Sequence, residues 1–130
     1  MPTETIERSD IARLLVDWNA ALQTGDPAEV VALYAEDAVL LPTLSKEIRQ
    51  SPAAMRDYFA KFLKLKPRAE VLQQTIRIYE PIATSSGIYK FFTRIDGQEA
   101  VVMARFTFVY RKDSDRWKII EHHSSLLPET

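Results

Sequence analysis

Ala104-Arg105-Phe106-Thr107-Phe108-Val109-Tyr110, followed after a polar break by Trp117-Lys118-Ile119-Ile120-Glu121-His122-His123-Ser124-Ser125, decides the fold. β-Branched and aromatic residues sit on both sides of a turn, which is the composition of a long β-hairpin. Arg105 and the adjacent pair His122 and His123 interrupt it. Strands with apolar surroundings hold such groups when they are paired or face a cavity. The interruption points to a pocket.

Period-two patterning runs upstream as far as Pro67. Residues 71–79, 82–95, 98–111 and 116–126 read as four long strands. Asp96-Gly97 is the strongest hairpin signal. A two-residue loop there pairs Ile95 with Gln98 and Arg94 with Glu99, and the second pair opposes unlike charges. That register puts Tyr89, Phe91, Val102, Ala104, Phe106 and Phe108 on one face. Ile88, Lys90, Phe92, Met103, Arg105 and Thr107 take the other. The next turn admits two registers. A tight Asp113-Ser114 loop sets Arg105 opposite His122; a bulged turn sets it opposite His123. Either register makes one histidine the neighbour of Arg105.

The first half of the chain is helical. Residues 6–23 place Ile11, Leu14, Leu15, Trp18 and Leu22 on one stripe, with Asp10, Arg13 and Asp17 opposite. Gly25 ends this helix. Asp26-Pro27 opens a short second one with Val30, Leu33 and Tyr34 on its apolar face. Residues 38–41 form a brief strand stopped by Pro42, and residues 47–49 another. Ser51-Pro52 opens a third helix whose buried stripe is Met55, Phe59, Phe62 and Leu63, with Tyr58 at its edge. Helices first and an antiparallel meander after predict a single α+β domain over residues 1–130, with three helices on one face of a curved sheet. Both sheet faces carry large apolar residues, so the uncovered face predicts a homo-oligomer built through the sheet.

Composition narrows the function. The chain is 46% hydrophobic and 27% charged, with a formal net charge of -1. Lys46, Lys61, Lys64, Lys66 and Lys90 are scattered, so no basic stripe marks a nucleic-acid groove. Cysteine is absent, which removes thiolate metal sites and a Cys nucleophile and fits the cytoplasm. Residues 1–10 are polar and acidic, unlike a signal peptide, and no apolar run approaches a membrane span. Adjacent histidines on a strand point to opposite faces, so no metal site is expected from them.

The order helix, Gly-Asp turn, helix, Tyr34-Ala35-Glu36-Asp37-Ala38-Val39 junction, helix and four strands resembles the nuclear-transport-factor-2-like (cystatin-like, α+β cone) superfamily. The ending Val109-Tyr110, Trp117-Lys118-Ile119, His122-His123-Ser124-Ser125 is similar to the association (hub) domain of calcium/calmodulin-dependent protein kinase type two and its bacterial relatives, the SgcJ/EcaC group. The resemblance implies a cone with a deep pocket between sheet and helices, and self-association. In the kinase hub such a pocket is lined by arginines and histidine and accepts small carboxylates. No kinase or calmodulin-binding segment accompanies it here.

The residues that follow from these readings are Arg105, His122, His123, Tyr89, Arg49 and Trp18, as lining of a pocket for a small carboxylate-bearing molecule. Arg105 supplies a planar donor fork; a histidine and Tyr89 add hydrogen bonds. Arg49 sits near the expected mouth. Trp18 and Tyr34 read first as core packing. An isomerase, cyclase or hydratase using His and Arg in that pocket is the alternative. Ketosteroid-isomerase-like members keep an aspartate just before the proline of the first strand, and Leu41 occupies that place. A leucine cannot move protons. No Gly-rich dinucleotide loop is present and no cofactor is implied.

Overall fold

The computed structural model describes residues 6–129. The first five residues of the 1–10 stretch lie outside them. Helix α1 (Arg8–Gln23) buries Ile11, Leu15, Trp18 and Leu22 of the predicted stripe and leaves Leu14 partly buried. It ends at Thr24, and Gly25 takes φ +75°, the left-handed turn that glycine adopts without Cβ strain. Helix α2 (Pro27–Val31) is capped by the Asp26 carboxylate, which accepts from the Ala28 amide at 3.0 Å. It stops before Tyr34, which instead begins strand β1 (Tyr34–Leu41). The strand is twice as long as the 38–41 expectation: Tyr34 already pairs with Ile119 of the last strand, and after an irregularity Val39, Leu40 and Leu41 pair with Glu121, His122 and His123. Helix α3 (Pro52–Phe62) opens on the Ser51 hydroxyl, which accepts from Ala54 N at 3.1 Å, and buries Met55, Tyr58, Phe59 and Phe62.

Strands β2 (Arg68–Tyr79), β3 (Ile82–Ile95), β4 (Gln98–Asp113) and β5 (Arg116–Leu126) complete a five-stranded sheet in the order β1-β5-β4-β3-β2. Only β1 against β5 is parallel. Helices on one face of this curved sheet make the α+β cone. The β3–β4 register is the predicted one, with Ile95 opposite Gln98, Arg94 opposite Glu99 and Tyr89 opposite Ala104. Arg94 and Glu99 approach to 3.9 Å.

The β4–β5 register is neither of the two expected. Asp113 pairs with Arg116, so the loop is Ser114-Asp115, with Ser114 at φ +59°. A bulge follows: Tyr110 pairs with Ile119 but Val109 with Glu121. The extra residue, Ile120, resets the alternation. Ile119 and His122 therefore both point inward, and Arg105 faces Ser125 on the outer side. The outer face mixes apolar and polar groups. Val101 is 56% exposed there, while Arg68 lies over the Phe92 ring at 4.4 Å.

Candidate functional site

The cone interior is aromatic: Trp18, Phe59, Tyr89, Phe91, Phe106, Phe108 and Tyr110 are all buried. His122, 3% exposed, lies in the middle of it. Its ring stacks on Phe108 at 3.9 Å, and the Trp18 ring meets it edge-on at 5.3 Å. A polar side chain in such a place needs partners for both ring nitrogens. It has them. Nδ1 lies 2.8 Å from Tyr34 Oη, and Nε2 lies 3.2 Å from Tyr89 Oη.

The contacts beyond these have a direction. An indole nitrogen only donates, and Trp18 Nε1–H donates to Tyr34 Oη at 3.1 Å. The Tyr34 hydrogen is then free for His122 Nδ1, which accepts it. In a neutral imidazole the other nitrogen is the donor. Nε2–H therefore donates to Tyr89 Oη. The Tyr89 hydroxyl donates to Ser124 Oγ at 2.6 Å, and Ser124 Oγ hydrogen-bonds to Thr43 Oγ1. The opposite tautomer would leave the buried Tyr34 hydrogen without an acceptor, at a cost of about 1–3 kcal/mol.

Burial holds the imidazole neutral. Loss of hydration, helped by the neighbouring charge of His123, lowers the His122 pKa to about 3. Burial likewise raises the Tyr34 and Tyr89 hydroxyls well above the ordinary tyrosine value. The network consists of neutral donors and acceptors in a dry setting.

The space left around it is small. The cavity lined by Trp18, Tyr58, Phe62, Tyr89, His122 and Ser124 measures about 10 Å³, room for one water at most. Tyr58 and Phe62, stacked at 5.6 Å, also line an outer cleft of about 410 Å³. That cleft contains Arg49, Lys46 and Lys61. Arg49 is 8% exposed. Its Nη1 donates to Asp57 Oδ2 at 2.8 Å and to the Ala54 carbonyl at 3.1 Å, and Nη2 donates to Ser45 Oγ at 3.3 Å. Its Nε is buried without a partner. The Arg49 hydrogen bond, with Lys61 beside it, holds Asp57 below the usual carboxylate range. Burial pushes the Tyr58 hydroxyl up to about 12.

Of the residues expected from the sequence, His122, Tyr89 and Trp18 meet in the interior. Arg49 stands at the adjoining cleft. Arg105 and His123 do not join them. Both are exposed on the outer face, where His123 pairs with Thr107 two positions along from the Arg105–Ser125 pair. The bulge at Ile120 turns His123 rather than His122 outward, and Arg105 is outside because it alternates along β4 with the buried Ala104 and Phe106. Tyr34 is more than core packing, since it carries the link from Trp18 to His122. Ser124 is legible as the inward neighbour of His122 at period two. Thr43 lies in a loop with no periodicity to reveal it. Among the described residues, no group of three or more His, Asp or Glu side chains is placed to hold a metal ion. No helix among them is long and apolar enough to cross a membrane.

The fold matches known proteins along nearly the whole chain. A Xanthomonas campestris protein assigned as a calcium/calmodulin dependent protein kinase II association domain is 43% identical, with a TM-score of 0.93 over 97% of this chain and 91% of that one. A Nostoc punctiforme protein of unknown function with a cystatin-like fold is 20% identical, with a TM-score of 0.79 over 99% and 97% of the two chains. A Novosphingobium aromaticivorans protein, described as nuclear-transport-factor-2-like with a cystatin-like fold, is 15% identical, with a TM-score of 0.78 over 95% and 83%. These last two share the fold. The profile of the calcium/calmodulin dependent protein kinase II association domain family matches residues 7–128, and the chain belongs to that family.

Proposed function

We propose that this chain is a self-associating domain that binds a small carboxylate-bearing molecule between the helices and the sheet, as a cytoplasmic protein. One observation carries the reading. A saturated polar network centred on His122 lies in an apolar interior, and the two rings that wall it off also line a cleft containing a buried arginine. The ligand carboxylate belongs in the cleft, at Arg49 and the ammonium groups of Lys46 and Lys61. Its flat or apolar body belongs against Tyr58 and Phe62, toward His122. The family description supports self-association, and the exposed Val101 on the outer sheet face supplies apolar contact area. Binding ranks ahead of catalysis because both nitrogens of His122 already have tyrosine partners, leaving neither free to take a substrate proton.

Native mass spectrometry of the purified chain tests both halves. Assembly predicts a multimer that Val101→Glu reduces to smaller species without unfolding it. Binding predicts that benzoate adds to the native species and that Arg49→Gln removes the adduct. A monomer at every concentration refutes the first half, and an unchanged adduct in Arg49→Gln refutes the second.

A further inference from the structure

Strand β2 ends the sheet on one side, with β3 as its one strand neighbour among the described residues. An edge strand presents N–H and C=O groups that a second chain can pair. This edge is sealed at one point. The Asn19 amide spans Ala69, accepting from its N–H at 2.8 Å and donating to its carbonyl at 3.1 Å, much as a neighbouring strand would. The open edge therefore begins at Glu70.

The open stretch has an internal symmetry. Val71 pairs with Tyr89 and Gln73 with Ile88, so Leu72 is an extra residue outside the ladder. Without it, the side chains alternate as Glu70 out, Val71 in, Gln73 out, Gln74 in, Thr75 out, Ile76 in and Arg77 out. The pattern reads the same in both directions from Gln74. A second copy laid antiparallel, turned about a two-fold axis at Gln74, meets each residue with one that points to the same face. The chemistry matches as well. Val71 opposes Ile76, Gln73 opposes Thr75, and Glu70 opposes Arg77, each pair occurring twice. Within one copy, neither Glu70 nor Arg77 forms an ion pair among the described residues. Val71 is 38% exposed and Leu72 46%, apolar area that the pairing would cover.

We propose that two copies of this chain join edge to edge along residues 70–77 of β2, continuing the sheet across a two-fold axis at Gln74. The Glu70–Arg77 pairs close the ladder at its two ends and select this register over slipped ones. The Asn19 clamp on Ala69 stops the ladder there. This contact rests on the self-association proposed above and adds a surface distinct from the outer face at Val101.

Analytical ultracentrifugation of charge-swap variants tests it, in a Val101→Glu background that removes the outer-face contact. Val101→Glu alone should remain a dimer. Adding Arg77→Glu opposes like charges at both ends of the ladder and should weaken that dimer about tenfold or more. Adding Glu70→Arg to that protein restores opposite charges and should restore the dimer, which repair of a merely unfolded chain would not explain. Both side chains are exposed, so the circular dichroism should stay unchanged throughout. The edge contact is overturned if Val101→Glu is already a monomer, if Arg77→Glu leaves its dimer intact, or if Glu70→Arg fails to rescue. If Arg77→Glu breaks up the wild-type assembly while Val101→Glu does not, the edge contact stands and the outer-face contact fails.

Discussion

Trp18 Nε1 lies 3.1 Å from Tyr34 Oη, and this contact orients every hydrogen bond beyond it. Because the indole has no acceptor, Tyr34 must spend its hydrogen on His122 Nδ1, and His122 must carry its own on Nε2.

The first prediction concerns that tautomer. Nitrogen-15 NMR of the imidazole should show a single, Nε2-protonated form near neutral pH. Tyr34→Phe removes the donor that fixes it, leaving Trp18 Nε1–H and His122 Nδ1 both unpartnered. It should mix the tautomers and cost about 2–4 kcal/mol of stability, from two buried groups at about 1–2 kcal/mol each. Tyr89→Phe strands Nε2–H and removes a donor from Ser124, which keeps Thr43 as a partner, and should cost less. Equal costs, or an Nδ1-protonated ring in the wild type, would contradict the direction drawn here.

A pH dependence follows from the same ring. The unfolded chain binds a proton at His122 near pH 6.5, whereas the folded chain does so only near pH 3. Between those values the unfolded state holds more protons, so stability falls as pH falls. The contribution is complete above about pH 6.5 and is lost progressively toward pH 3, at up to about 1.4 kcal/mol per pH unit. Asp57 and Asp113, whose pKa values are lowered by Arg49 and Arg111, lose their contributions below the ordinary carboxylate range. The interval from pH 6.5 to 4.5 therefore isolates His122. Urea unfolding across it should show the slope in the wild type and a flattened one in His122→Gln.

The hairpin reading went far because its signals are local. Asp96-Gly97 and the Arg94–Glu99 pair determine the β3–β4 register, and with it the inward place of Tyr89. The β4–β5 register escaped because a bulge at Ile120 has no residue signature: isoleucine suits a regular strand as well. The later loop and the bulge together put His122 inward and His123 outward, a choice the sequence had left open, while Arg105 is outside because Ala104, Phe106 and Phe108 of the same strand point inward. Arg49 was visible as an oddity in a short segment, but Asp57, which holds it, lies eight residues on in a helix and is ordinary there. Thr43 gains its meaning only from Ser124, a long-range partner.

Gly87 shows the same kind of hidden constraint. A Cβ built on it would come 1.8 Å from the Gln73 carbonyl oxygen, because the bulge between Val71 and Gln73 presses β2 against β3. The obstacle is backbone, which cannot rotate aside. Gly87→Ala should destabilise by at least about 2 kcal/mol through overpacking, despite the better strand propensity of alanine. Thermal unfolding checks it. Gly97→Ala meets no atom within 4 Å, and its cost should come only from the left-handed φ of 79°.

The Arg49–Asp57 pair is asymmetric, and the asymmetry is testable. The arginine side chain is 9% exposed and the aspartate 54%. Removing the buried member leaves a carboxylate that water can solvate, so Arg49→Met should cost about 1–2 kcal/mol, mostly lost hydrogen bonds. Removing the exposed member leaves a buried guanidinium that already has an unpartnered Nε. Ala54 and Ser45 alone cannot balance its charge, and Glu47 stands 3.9 Å away with 71% of its side chain exposed. Asp57→Ala should therefore cost more than Arg49→Met, although it deletes the smaller and more exposed residue. The double variant should be no less stable than Asp57→Ala alone, because the stranded charge is then gone. Denaturant midpoints for the three proteins decide the matter. If Arg49→Met proves the costlier single change, the guanidinium's own contacts, with the Ala54 carbonyl, Ser45 and the Tyr58 ring 5.8 Å from it, govern the site rather than its pairing with Asp57.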